Sequence, residues 1–354
     1  MPAPTRLLIL TILALLAPAV ATAAEDDAAT FNMQAENDLF ASDNDRHYTN
    51  GVRLSYLTKA KPCPDDRKRC LSGILRQVTS IIPAFRDGEE HRISYSLGQN
   101  MYTPSDITVR ELLPDDRPYA GWLYAGLGFV SRNTFEGRAA KTYNRIDNLE
   151  INIGMVGPWS GAEFAQKNWH KLFNFRKPQG WDNQLHNEPG LVLIYERIWL
   201  FNKRPEILPH LEMEFAPNIG GAVGNVYTHA AAGLRARIGI NLPDDYGPPR
   251  IRPSLPGSDY FSPGERLGFY VSGGIEGRAV ARNIFLDGNT FRSSPSVDKK
   301  HFVGDLQAGA TLVAPRLGVV PPFRLSYTYI WRSKEFHGQD FGDRFGSINL
   351  SFNL

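Results

Sequence analysis

The side chains able to do chemistry lie far apart in this 354-residue chain. Glu36, Asn37 and Asp38 close one alternating segment, and Thr49, within His47-Tyr48-Thr49-Asn50-Gly51, opens the next. Gln99 and Asn100 end a third, and His170 follows much later, four residues after Gln166. Imidazole exchanges a proton near neutral pH, so His170 is the candidate base. Residues four apart on a helix share a face, so Gln166 and His170 act together if residues 162–173 are helical. That stretch lacks Gly and Pro, and it follows the turn Gly157-Pro158-Trp159-Ser160-Gly161, in which Ser160 is a candidate cap. Glu163 lies on the adjoining turn. Each residue also has an ordinary reading: a surface histidine, a lumen carboxylate paired with an arginine, an Asn-Asp turn.

The elements that must position these groups read as strands. Leu149, Ile151, Ile153 and Met155 alternate with Glu150, Asn152 and Gly154, and Phe323, Leu325, Tyr327, Tyr329 and Trp331 alternate with polar partners. Period two gives each strand one apolar and one polar face. The polar faces carry Arg and Glu in mid-strand, as a wet lumen requires. Tyr119, Trp122, Tyr124, Trp199, Phe201, Tyr329 and Trp331 fall near strand ends, as interfacial girdles do. The pattern predicts an all-β, transmembrane antiparallel β-barrel of about twelve strands, each long enough to cross a bilayer at a tilt, with a short helix in an extracellular loop. The strands are expected near 29–38, 49–58, 91–100, 119–131, 146–156, 189–201, 207–217, 227–241, 266–277, 302–314, 321–332 and 345–354. The run Trp122-Leu123-Tyr124 breaks the alternation of the fourth.

An even strand number puts both termini on one side, the periplasm, and gathers the chemistry at the opposite mouth. By parity with Gln34 and Glu36, Asp38 points into the lumen, and Thr49 does so by parity with Arg53 and Ser55. Asn37 has the opposite parity. The connection 157–188 faces outside; the turn 242–265, rich in proline, faces the periplasm.

Charge and composition exclude other classes. With 39 Lys and Arg against 37 Asp and Glu, the net charge of +2 implies no nucleic-acid partner. Beyond residue 24 no stretch is long and apolar enough for a spanning helix. Arg6, the apolar run Leu7 to Leu16 and Ala21-Thr22-Ala23 form a signal peptide, residues 1–23, leaving 24–354 as the barrel domain. Export together with the barrel pattern points to the outer membrane of a Gram-negative cell. Cys63 and Cys70, seven apart in an exported polar stretch, are expected to form a local disulfide. No Gly-x-Ser-x-Gly, His-Glu-x-x-His, phosphate loop or calcium loop is present.

Several segments occur in a telling order: Ala35-Glu36-Asn37-Asp38, Tyr48-Thr49-Asn50-Gly51, Gly98-Gln99-Asn100-Met101-Tyr102-Thr103-Pro104-Ser105, Asp116-Arg117-Pro118-Tyr119-Ala120-Gly121, Gly154-Met155-Val156-Gly157-Pro158, Gln166-Lys167-Asn168-Trp169-His170 and Trp181-Asp182-Asn183-Gln184. Together they resemble the outer-membrane lipid A 3′-O-deacylase family. The resemblance covers roughly residues 30–200, and the later half matches mainly as barrel. It implies a carboxylic ester hydrolase that releases the 3′-linked acyloxyacyl group of lipid A, working between the barrel wall and a helix. It implies His170 as the base that activates water, Asp38 as the contact of a calcium ion (Ca2+), Asn37 and Thr49 beside it, and Gln166 in support. Where the family has a basic residue this chain has Val109, with Arg110 and Arg117 nearby; Arg176 stands near the place of an expected acid. Arg110, Arg117, Lys167 and Lys171 are candidates for meeting the phosphates of lipopolysaccharide. A single carboxylate among neutral oxygens implies weak calcium binding, in the millimolar range. A monomer is expected. Two rivals remain at this point: a non-catalytic barrel and an outer-membrane phospholipase.

Overall fold

The structure is a computed structural model that describes residues 28–41, 47–62, 90–136, 142–201, 211–251, 253, 259–262 and 264–354. The expected signal peptide and the expected Cys63–Cys70 disulfide lie outside the described residues. Twelve long strands are present: β1 (Thr30–Asn37), β2 (His47–Leu57), β3 (Glu90–Thr103), β4 (Ala120–Glu136), β5 (Thr142–Val156), β6 (Glu188–Phe201), β7 (Leu211–Gly224), β8 (Tyr227–Ile240), β9 (Gly268–Asn283), β10 (Phe302–Ala314), β11 (Phe323–Arg332) and β12 (Asp343–Asn353). Each pairs antiparallel with its neighbours, and β1 pairs with β12 from Thr30↔Asn353 to Asn37↔Gly346. That last pairing closes the barrel and leaves no long edge.

The period-two pattern does what it must. Val52, Leu54 and Tyr56 on β2, Tyr95 and Leu97 on β3, and Phe269, Val271 and Ile275 on β9 are exposed on the outer face. Their alternate neighbours point inward and are buried. Among the described residues, no helix is long and apolar enough to cross a membrane; the crossing is made by strands. The seventh strand differs from the expected 207–217: it runs from Leu211 to Gly224, so Asn218 to Gly224 pair rather than loop. Trp122 and Tyr124 do not break the fourth strand. They point inward, with Leu123 outward between them, because this end of the lumen is itself apolar. The girdle is corrected too, because Trp122 and Tyr124 belong to that apolar lumen and Tyr119 packs with Met101 and Trp181. Tyr119, Trp122 and Tyr124 are buried, whereas Phe201 and Trp331 are exposed as girdle residues should be.

Both halves of the lumen are filled. Near one end, Tyr48, Tyr102, Trp122, Tyr124, Tyr227 and Phe345 pack together with Phe285, from the short helix α2 (Ile284–Asp287). Phe285 stacks on Tyr102 at 4.0 Å between ring centres. From the other end the connection between β8 and β9 turns back into the barrel. Its Asp245 pairs with Arg237 and with Arg324, the latter at 2.6 Å. Asp259 meets Arg53 at 2.9 Å, and Arg250 meets Glu36 at 2.9 Å. The described part of 242–265 therefore is not a surface turn: buried Arg53, Arg237, Arg324 and Glu36 on the wall need charged partners, and Asp259, Asp245 and Arg250 supply them. A space of about 50 Å³ remains beside it, lined by Arg53, Tyr124, Glu150 and Asp259 among others.

Candidate active site between a helix and the barrel wall

The helix α2 end of the barrel also carries the longer helix α1 (Ala162–Phe173), inside the span expected. The chain leaves β5 through Gly157, at φ 92°, where any Cβ would run into the backbone of His186. It passes a 3₁₀ turn, Pro158–Ser160, and enters the helix at Gly161, at φ 69°. Gly161 occupies the cap position, and Ser160 acts from one residue earlier, its Oγ accepting from the Ala162 N–H at 3.4 Å. Asn174 in a left-handed conformation ends the helix.

Strand parity shows where α1 sits. On β3, Gln99, Met101 and Thr103 continue the outward row of Tyr95 and Leu97. Gln99 Nε2 donates to the Ser160 carbonyl at 2.7 Å. Met101 packs with Ala162, Tyr119, Ile107 and Trp181. On β4, a Cβ on Gly121 would collide with Ser160 and Ala162. The helix is thus laid on the outside of the wall, directly above exposed lipid-facing residues.

Gln166 and His170 point from α1 toward the protein, and both are buried. Gln166 Oε1 accepts from Trp181 Nε1 at 2.8 Å, while its Nε2 is buried with no hydrogen-bond partner. His170 Nδ1 lies 2.5 Å from the carbonyl oxygen of Arg176. A carbonyl only accepts, so Nδ1 carries the proton and Nε2 is the basic nitrogen. Arg176 therefore orients the imidazole through its backbone, although its side chain is not the acid the resemblance suggests.

The other candidate groups lie on the wall, on strands beside the one that α1 covers. Asn37 pairs with Asn50, Asn50 with Met101, and Met101 with Gly121, which makes one transverse row across the outer face. Asn37 is two strands from the residue under α1, a separation of about 10 Å. Asn37 Oδ1 and Asp38 Oδ1 both accept from the Leu39 N–H, each at 2.8 Å, so carboxamide and carboxylate sit side by side. Strand parity stops at Asn37. A 3₁₀ turn, Asp38–Phe40, orients Asp38 instead.

Thr49 does not point into the lumen as its parity predicted. The β2–β3 register shifts between Tyr48 and Asn50, and the extra residue reverses the alternation. Tyr48 goes inward and donates to Glu36 at 2.9 Å. Thr49 shares a 2.6 Å hydrogen bond with Thr103, on the outer face. The bulge thus moves Thr49 to the side of the wall where α1 lies.

The basic candidates separate. Arg110 and Lys167 are on the surface; Arg110 stands 3.7 Å from Asp182, and Lys167 pairs with Glu163. Arg117 is not at the rim: its side chain is buried and pairs with Glu335 at 2.7 Å. Its burial next to an acid removes it from the phosphate contacts. Sequence reasoning missed Thr103, Trp181 and Arg250. The Thr103 and Trp181 segments carried a signal, in the quoted runs ending Thr103-Pro104-Ser105 and beginning Trp181-Asp182; Arg250 carried none. Among the described residues no group of three or more His, Cys, Asp or Glu forms a metal cluster.

A closed twelve-stranded antiparallel barrel with an apolar belt outside and a charged interior is an outer-membrane β-barrel. The family described as outer membrane protein LpxR matches residues 7–354, and the chain belongs to that family. It is similar to the solved structure of LpxR from Salmonella typhimurium, with a TM-score of 0.67 at 19% identity, covering 92% of this chain and 100% of that one. It is less similar to the β domain of the Bordetella autotransporter BrkA, at a TM-score of 0.43 and 10% identity, covering 93% of this chain and 100% of the other. No curated protein matches.

Proposed function

We propose that this protein is a lipid A deacylase that hydrolyses the ester of the 3′-linked acyloxyacyl group, with the α1 end of the barrel facing the cell exterior. The observation that carries the reading is His170, buried on α1 with Nδ1 bound to the Arg176 carbonyl, the tautomer in which Nε2 is the basic nitrogen. His170 Nε2 takes a proton from water as the water oxygen attacks the ester carbonyl. The tetrahedral oxyanion collapses, the bond to the sugar oxygen breaks, and the imidazolium returns the proton to that oxygen. The products are a free acyloxyacyl acid and a 3′-hydroxyl. The unpartnered Nε2 of Gln166 is a donor suited to the oxyanion. Thr49 and Thr103 fix the wall opposite the helix.

The oxygens of Asp38, with Asn37 alongside, suit a hard cation rather than a soft one. A calcium ion held there would add positive charge near the oxyanion. One carboxylate implies weak, millimolar binding unless lipid phosphate completes the shell. Lys167 and Arg110, both on the surface, are our candidates for such phosphates.

The test is mass spectrometry of lipid A from cells lacking an endogenous deacylase, with and without this protein. Loss of one acyloxyacyl unit, reduced roughly 10²–10⁴-fold in His170→Ala, supports the reading. Asp38→Ala should have the same direction and remove the calcium dependence. Unchanged lipid A around a folded barrel would favour a non-catalytic barrel. Equal cleavage of phospholipid would favour a phospholipase.

A further inference from the structure

The exposed surface of α1 and its flanking turns carries large apolar side chains beside Lys167, Asn168 and Lys171. Trp159 in the entry turn, Phe164, Trp169 and Leu172 on the helix and Phe175 after it are 72%, 75%, 48%, 66% and 43% exposed. Trp169, Phe173 and Phe175 stack into one cluster, with ring centres 4.5 and 6.0 Å apart. Burial within the protein does not account for this surface, which is larger in aromatic content than isolated exposed residues on a soluble face.

Two observations identify what covers it. The first is continuity. Gln99 and Met101, beneath the helix, extend the outward row of Tyr95 and Leu97 on the same strand. Leu123 on β4, Ile153 on β5 and Leu191 on β6 carry that exposed row sideways below α1. A two-residue step along a strand is about 7 Å, so the helix begins where the lipid-facing belt ends. The second is charge. Residues 162–177 include Lys167, Lys171, Arg176 and Lys177 but a single acid, Glu163. All four basic residues are exposed. An amphipathic helix with Trp, Phe and Leu on one face and Lys or Arg at its border is built for an anionic lipid interface.

We propose that α1 and its flanking turns are an interfacial element, with Trp159, Phe164, Trp169, Leu172 and Phe175 inserted in the outer leaflet of the surrounding membrane and the four basic residues on its phosphates. The apolar face enters about 5–10 Å, to the boundary of headgroups and chains. The barrel and the helix then share one lipid surface. The inference goes beyond hydrolysis, and its test needs no turnover.

The full protein is reconstituted in vesicles of phosphatidylethanolamine and phosphatidylglycerol with chains brominated at graded depths. The signal of Trp159 and Trp169 is the difference between the native protein and the Trp159→Phe/Trp169→Phe variant. The proposal expects that difference signal to be quenched by shallow bromine and shielded from aqueous iodide. Phe164→Ser/Leu172→Ser should lose part of the bromine quenching, and heat-dependent gel mobility verifies that the barrel has folded. Replacing zwitterionic by anionic lipid should increase quenching in the native protein and less so in Lys167→Gln/Lys171→Gln. Quenching by iodide without bromine would place the face in water and overturn the proposal. Protection from both quenchers would mean cover by protein, such as a second copy, and overturn it too. An equal response to anionic lipid in the lysine variant would overturn the phosphate contacts.

Discussion

A single buried hydrogen-bond donor is the sharpest feature at the scale of residues. Gln166 gives its oxygen to Trp181 and keeps an unpartnered Nε2. A buried donor without an acceptor costs about 1–3 kcal/mol, which a substrate oxygen would recover. Gln166→Glu keeps volume and turns that donor into an acceptor. Kinetics on lipid A should show kcat lowered by about 10²–10³-fold with KM nearly unchanged. An unaltered kcat would remove Gln166 from the oxyanion. Asp116, in the loop after β3, is a second case. Burial alone would raise its pKa, but hydrogen bonds with His47 and Ser105 outweigh burial and bring it down to about 2. A carboxyl with a depressed folded pKa stabilises the fold above its unfolded value, near 3.8, and loses that contribution as pH falls toward about 2. Amide exchange at Ser105, whose N–H donates to Asp116 at 2.7 Å, should therefore accelerate through that window. In Asp116→Asn it should be fast already at neutral pH.

The decisive joint between elements is α1 against β4. At Gly121 a Cβ would run into Ser160 and Ala162, so no side chain fits between the wall and the start of the helix. Gly121→Val should lift α1 and carry His170 and Gln166 away from Thr49 and Asn37. A displacement near 1 Å costs on the order of 10²-fold in rate. Lipid A hydrolysis measured beside the heat-dependent mobility of the barrel separates the two effects: activity should fall while the barrel persists. Gly121→Ala should have a smaller effect in the same direction. Full activity in Gly121→Val would mean that the tight seat of α1 has no part in catalysis.

Across the whole molecule, the inturned connection between β8 and β9 ties the far end of the barrel to the site. Arg250 reaches Glu36 on β1, and Glu36 also accepts from Tyr48, which flanks the Thr49 bulge. Removing one partner of a buried pair costs about 3–5 kcal/mol because the remaining charge is uncompensated. Arg250→Ala should lower the urea midpoint of the protein folded in vesicles by a corresponding amount and reduce hydrolysis through a loosened β1–β2 corner. An unchanged midpoint would show that the inturned segment contributes little. With the aromatic cluster at one end and this segment at the other, planar-bilayer recordings of the native protein should show no steady conductance. Shortening the connection between Leu242 and Arg266 should open one.

Much of this was legible in the chain. Alternation every second residue identified the barrel and the strand number, since side-chain direction in a strand is a local property. The absence of Gly and Pro from 162–173 marked α1, and its i,i+4 spacing put Gln166 with His170. What local rules could not supply were the non-local decisions. A one-residue bulge turned Thr49 outward and Tyr48 inward, and a bulge depends on the partner strand. Arg117 looked like a rim cation until Glu335, more than two hundred residues later, met it inside the barrel. The turn 242–265 looked like a surface connection because its charges have partners only once the barrel encloses them. Residue type and spacing determined the fold class and the candidate base. Tertiary structure alone decided which face of the wall the site occupies, because that choice is made by pairing between segments distant in sequence.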